Sequence, residues 1–148
     1  MHQTLKQIKD KSLNLIDHKL NDGQVKGLVA HFKSAPKNVI RIVLDNNGIS
    51  DEQLSALLEA TQHLEMIKSL LVRNNVFGSK SIQAIKPVLI KELPFNLTEL
   101  RIMNCRIAPF EVKQLFDSLL DSKIRKLGLV NANVNGEVFA DFMIFMQE

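Results

Sequence analysis

Four histidines, one cysteine and three short polar clusters are the parts of this chain whose residue types could do chemistry. A histidine metal site needs ligands that the backbone can bring to one face, as at i and i+4 of a helix. His2, His18, His31 and His63 are separated by 16, 13 and 32 residues (18 − 2, 31 − 18, 63 − 31), and no second ligand follows any of them at a useful spacing. Cys105 would be reactive only as a thiolate in an exposed, electropositive setting. "SAPK" from Ser34 to Lys37 matches the S-x-x-K of acylating serine enzymes, a pattern short enough to arise by chance. "GSKS" from Gly78 has the lysine and serine of a phosphate loop but lacks its preceding glycine spacing. Asp51 and Glu52 follow Ser50 and suit a helix start, where the dipole favours acids. These residues predict no catalytic centre, no metal and no cofactor. They do not define an enzyme.

Composition narrows the remaining classes. A chain of 148 residues is one domain's length and can bury roughly 70% of its unfolded surface. Hydrophobic residues at 45% and charged residues at 24% are ordinary globular values, which argues against disorder. The net charge is +3, and the lysines and arginines are scattered among acids, so no dense basic patch is expected. Nucleic acid is therefore not the expected partner. A single cysteine permits no internal disulfide, which points to a reducing, intracellular and cytoplasmic setting. "MHQTLKQIKDK" at the start has no apolar core for a secretory leader, and no apolar run nears the roughly 20 residues of a membrane span.

The organisation that does emerge is a repeat. "LDNNGIS" (Leu44 to Ser50) and "VRNNVFG" (Val72 to Gly78) carry Asn pairs 28 residues apart (74 − 46). From Val39 as position zero, apolar residues fall at Ile42, Leu44 and Ile49, with Asn47 at offset eight. The same offsets give Leu70, Val72, Asn75 and Phe77 from Ile67, and Leu100, Ile102, Cys105 and Ile107 from Leu97. From Ile124 they give Leu127, Leu129, Ala132 and Val134, and a weaker copy from Asp10 gives Leu13, Leu15, His18 and Leu20. The starts, near 10, 39, 67, 97 and 124, differ by 29, 28, 30 and 27 residues. Offsets 15 and 18 are apolar in all five units, a helical spacing with one buried face. Each unit thus predicts a strand followed by a helix. Pro109 fits a first helical turn, and Pro87 predicts an early end or a kink in a helix from Ser79 to about Ile90.

This L-x-x-L-x-L-x-x-N/C-x-L pattern followed by a helix resembles the leucine-rich repeat, in its ribonuclease-inhibitor-like class. The resemblance covers nearly all of residues 1–148 as a single domain. It implies an α/β solenoid, a right-handed horseshoe arc with about five parallel strands on the concave side and helices on the convex side. It further implies a noncatalytic scaffold that binds protein, as a subunit of a larger complex. The alternative is a regulatory module similar to the repeats of Ran GTPase-activating proteins or of ubiquitin-ligase substrate receptors. Tropomodulin-like binding of actin filaments is a third possibility.

Alternation in a strand sends offsets three and five into the core and two, four and six onto the open face. The candidate partner-binding residues are Arg41, Val43 and Asp45 in the second unit, and Leu71 and Arg73 in the third. Arg101 and Met103 continue them in the fourth unit, and Lys126 and Val130 in the fifth. Asn46, Asn74 and Asn104 form a row at the edge of the same face. Apolar centres ringed by arginine suit protein recognition. The offset-eight residues Asn47, Asn75, Cys105 and His18 are expected to turn inward and bond backbone groups, whereas Ala132 cannot. In "VFADFMIFMQE", Ile144 and Phe145 are apolar in excess of the core stripe, which predicts a covering partner or further repeats at that end.

Overall fold

Alternating apolar residues in five short runs build one sheet, and a computed structural model describes residues 8–9, 11–90, 97–105 and 107–132 of it and its helices. The strands are β1 (Ile8–Lys9), β2 (Ser12–Ile16), β3 (Arg41–Asp45), β4 (Ser69–Arg73), β5 (Glu99–Met103) and β6 (Lys126–Val130). The helices are α1 (Asp22–Lys33), α2 (Asp51–Ala60), α3 (Ser79–Ile90) and α4 (Pro109–Leu120), with a 3₁₀ turn at Thr61–His63 after α2. Strand order in the sheet follows chain order, and β2 to β6 are parallel. The register is that of the repeat: Ile42 pairs Leu13 and Leu70, and Leu100 pairs Leu70 and Leu127. The result is an α/β fold consistent with a leucine-rich-repeat-like arc. The short β1 was not expected; it pairs antiparallel to β2 through a turn at Lys11, whose φ is 63°.

The core lies between sheet and helices. Leu13, Leu15, Ile42, Leu44, Leu70, Val72, Leu100 and Ile102 point inward from the strands and are fully or nearly fully buried. They join Val25, Leu28 and Phe32 of α1, Leu54, Leu57 and Leu58 of α2, Ile82 and Ile85 of α3, and Val112, Leu115 and Phe116 of α4. Each such side chain contributes roughly 1.5–3 kcal/mol of burial. Ile49, Phe77 and Ile107 close the core beneath the turns. In β6, Leu127 and Leu129 are only partly buried.

Local chemistry sets the helix starts. Asn21 and Ser50 cap α1 and α2, each accepting from the backbone three residues on, while Gln24 and Gln53 reach back to the cap N–H. Pro109 occupies the first turn of α4, and Glu111 accepts from the Ala108 N–H at 3.3 Å. Of the early end or kink expected at Pro87, the early end does not occur: α3 runs through it to Ile90. Pro87 removes the donor to the Gln83 carbonyl on an exposed face of the helix, while buried Val88 and Leu89 hold the last turn to the core.

Candidate protein-binding face

Parallel pairing lines up the open-face residues in three rows, about 4.8 Å per strand. Ser12, Arg41, Ser69, Glu99 and Lys126 form the first; Asn14, Val43, Leu71, Arg101 and Gly128 the second; Ile16, Asp45, Arg73, Met103 and Val130 the third. These are the rows that the offsets predict. Their exposure is less uniform. Arg41, Arg101, Lys126 and Val130 are exposed, and Leu71, Arg73 and Met103 are half-buried.

Val43 and Asp45 depart from expectation, since both are buried on the face predicted to be open. Val43 is short and branched, and strands flank it on both sides, with Asn14 and Leu71 as its row neighbours. Asp45 is drawn down by its partners. Arg73 Nε donates to Asp45 Oδ2 at 2.8 Å and Nη2 at 2.5 Å, while Asn74 Nδ2 donates to Oδ1 at 2.9 Å. The hydrogen bond from Arg73 is the main cause holding the Asp45 carboxyl below its usual range; burial opposes it, and Asn74 and the charge of Arg73 assist. Arg101 is tied within its own strand, Nε to Glu99 Oε1 at 2.7 Å. Its stem crosses Gly128, where an added Cβ would approach Arg101 Cγ to 3.1 Å. The face thus keeps Leu71, Met103, Val130 and Ile16 as accessible apolar groups, with Arg41, Arg101 and Lys126 around them.

At the C-terminal ends of the strands the Asn doublets resolve into two ladders. Asp17, Asn46, Asn74, Asn104 and Asn131 all take φ between 50° and 56°. Asn and Asp tolerate this left-handed conformation better than other residues with a Cβ. This backbone requirement selects the residue type in Asn46, Asn74 and Asn104, whose side chains remain exposed. Asn46 donates to Asp17, and Asn131 to Asn104, at 2.8 and 2.9 Å. In the inner ladder, Asn47 Nδ2 donates to the Leu15 and His18 carbonyls at 3.0 and 2.8 Å. Asn75 donates to the carbonyls of Leu44 and Arg73 and accepts from the Asn47 N–H. Cys105 continues the ladder with Sγ 3.7 Å from the Val72 carbonyl and 3.3 Å from that of Met103; burial pushes its thiol pKa up.

His18 does not join that ladder as expected. Its ring is exposed and only its carbonyl takes part. Each inner residue serves a carbonyl of the preceding unit, and His18 belongs to the first unit of the parallel series, so its side chain has no such carbonyl to meet. Ala132 is buried without a bonding group. Ile144 and Phe145 lie outside the described residues.

Two features escaped the sequence reading. Asp51, expected to serve its own helix, caps the next one. Its carboxylate accepts from the N–H groups of Gly78 (2.8 Å), Ser81 (3.1 Å) and Lys80 (3.1 Å) and from the Ser81 hydroxyl (2.6 Å). Burial raises its pKa, but these bonds outweigh burial and hold it below the usual range. A Cβ on Gly78 would stand 2.7 Å from Asp51 Oδ2, so a side chain there would displace this cap. The second feature is charge. Lys11, Lys68 and Arg125 occupy offset one in their units, and Arg41 and Lys126 offset two, so cations far apart in sequence are aligned along the N-terminal edge of the sheet. The expectation of scattered cations fails because it took no account of the repeat.

Among the described residues no cluster of His, Cys, Asp and Glu could hold a metal, and no helix is long and apolar enough to cross a membrane. No family model matches the sequence, and no curated protein is similar to it in sequence. Among solved structures it is similar to the actin-binding site 2 region of leiomodin-1. That likeness has a TM-score of 0.71 at 20% identity and covers 98% of this chain and 88% of that one. The likeness is one of fold.

Proposed function

We propose that this chain is a noncatalytic leucine-rich-repeat solenoid that binds a protein partner across the concave face of its sheet, as part of a larger assembly. The observation that carries this reading is the accessible group of Leu71, Met103 and Val130, flanked by Arg41, Arg101 and Lys126, on five strands held in register. Apolar anchors inside a charged surround exclude water at the centre and set orientation at the rim. An intracellular, reducing compartment suits the unpaired thiol of Cys105.

The neighbour in fold is, by its name, an actin-binding region, which makes actin the first partner to test. Cosedimentation with actin filaments is expected to pellet the wild-type chain and to leave Leu71→Glu and Arg101→Glu in the supernatant. If actin fails, the same two substitutions are applied to a partner crosslinked in the native source. Unchanged affinity of both variants for that partner would sink binding through this face.

A further inference from the structure

The N-terminal edge of the sheet holds charge that the fold does not use. Backbone hydrogen bonds run across it from strand to strand: Ile40 N–H to the Lys11 carbonyl (2.7 Å), Lys68 to Ile40 (2.8 Å), Thr98 to Lys68 (3.0 Å) and Arg125 to Thr98 (2.8 Å). Lys11, Lys68 and Arg125 therefore stand in one row, with Arg41 and Lys126 in the next, and all five side chains are exposed. None of them, nor Lys123 beside them, enters an ion pair among the described residues. Glu99, the acid within these two rows, is already held by Arg101. The last turns of α2, α3 and α4 carry no basic residue of their own, whereas α1 ends on His31 and Lys33. Arg41 and Lys126 begin their strands, and Lys11, Lys68, Lys123 and Arg125 lie in the turn and loops that lead into β2, β4 and β6.

The edge ends in an open groove of about 850 Å³ lined by Thr98, Glu99 and the run Ser122 to Lys126. Its hydroxyl protons are engaged inside the fold: Thr98 donates to the Lys68 carbonyl and Ser122 to that of Leu119. The groove therefore presents cations together with oxygen acceptors. A phosphodiester chain supplies only acceptors along its backbone, whereas a peptide supplies N–H donors as well. Nucleic acid also gains from stacking on aromatic side chains, and the phenylalanines described here are either buried (Phe32, Phe77, Phe116) or, for Phe110, at the start of α4 on the opposite edge.

We infer that this edge is a second binding site, for an acidic extended peptide segment lying across the strands from Lys11 to Arg125 and entering the groove beside Lys123. Four strand intervals of about 4.8 Å give a strip of about 19 Å, which an extended chain covers in about six residues at roughly 3.3 Å each. The inference rests on the protein-binding reading for its class of partner, but it uses residues distinct from Leu71 and Met103.

The test is fluorescence anisotropy with a labelled peptide of about eight glutamates, at low and at raised salt. Saturable binding that weakens as salt screens the charges is expected. Lys68→Glu with Arg125→Glu is expected to weaken it on the order of tenfold or more, and Lys68→Gln with Arg125→Gln by less, because charge complementarity carries the contact. Thermal melts matching the wild type confirm that these exposed substitutions leave the fold intact, and Leu71→Gln is expected to bind the peptide normally. Absence of saturable binding at low salt would overturn the inference, as would equal binding by the folded double variants. Tighter binding of an oligothymidylate of the same length would assign the edge to nucleic acid instead. Loss of a native partner by Leu71→Glu without any peptide binding would defeat this site and leave the concave-face reading standing.

Discussion

The two edges of the sheet are built by the same repeats and use their polar residues in opposite ways. At the C-terminal ends of the strands, Asn47, Asn75, Asp45 and Asp51 each bond to a neighbouring unit, and the exposed Asn ladder supplies the left-handed residues that turn the chain. At the N-terminal ends, backbone groups pair across the strands while the side chains of Lys11, Arg41, Lys68, Arg125 and Lys126 enter no ion pair among the described residues. A buried polar group must be paired because its desolvation is costly; an exposed cation carries no such obligation. One edge is thus committed to stability. The other is available for recognition.

The sharpest way to test that contrast is at Asn47, which is fully buried. Asn47→Ala removes the donor from the Leu15 and His18 carbonyls, and a loss of about 3 kcal/mol in urea unfolding is expected. A cost below about 1 kcal/mol would mean that the inner ladder is not what holds the units together. Asp51→Ala is expected to cost about 2 kcal/mol, since it uncaps α3 at several donors, and Gly78→Ala should be destabilising by a different route, the approach of its Cβ to the Asp51 carboxylate.

The carboxylates extend the comparison to pH. Asp45 and Asp51 both titrate below the ordinary 3.8 in the folded chain. Their stabilisation is therefore complete above the unfolded carboxylate range and declines as pH falls through the lower folded values. Asp51→Asn should flatten this acid limb in thermal melts recorded from neutral pH downward. The smallest effect belongs to the basic edge: Lys68→Glu and Arg125→Glu should each change stability by no more than about 0.5 kcal/mol. A larger loss there would erase the distinction between the edges.

Much of this was legible along the chain because the repeat is regular. Offsets of three, five and ten named Ile42, Leu44 and Ile49 as core, and the in-register pairing of the strands follows from keeping one hydrophobic set on one face. The candidate face was readable as rows but not as exposure. Asp45 looked like an open-face residue until Arg73, 28 residues later, was seen to hold it. Asn46 and Asn74 read as binding candidates because a requirement for positive φ leaves the same mark as a preference for surface polarity. His18 occupies the right offset in the wrong unit, and Pro87 breaks a local rule on a helix face where water can satisfy the freed carbonyl.

Periodicity by itself determined the five parallel strands, the helices of the first four units, their core residues and the three open-face rows, since these depend on residue type repeated at constant spacing. The helix expected in the fifth unit lies outside the described residues. Only the tertiary structure decided which side chains meet, Asp51 with the next helix and Asp45 with Arg73, and which cations of four units share one edge. Electrostatic and hydrogen-bonding contacts act over a few ångströms, and residues about 28 apart come within that range only when the units stack.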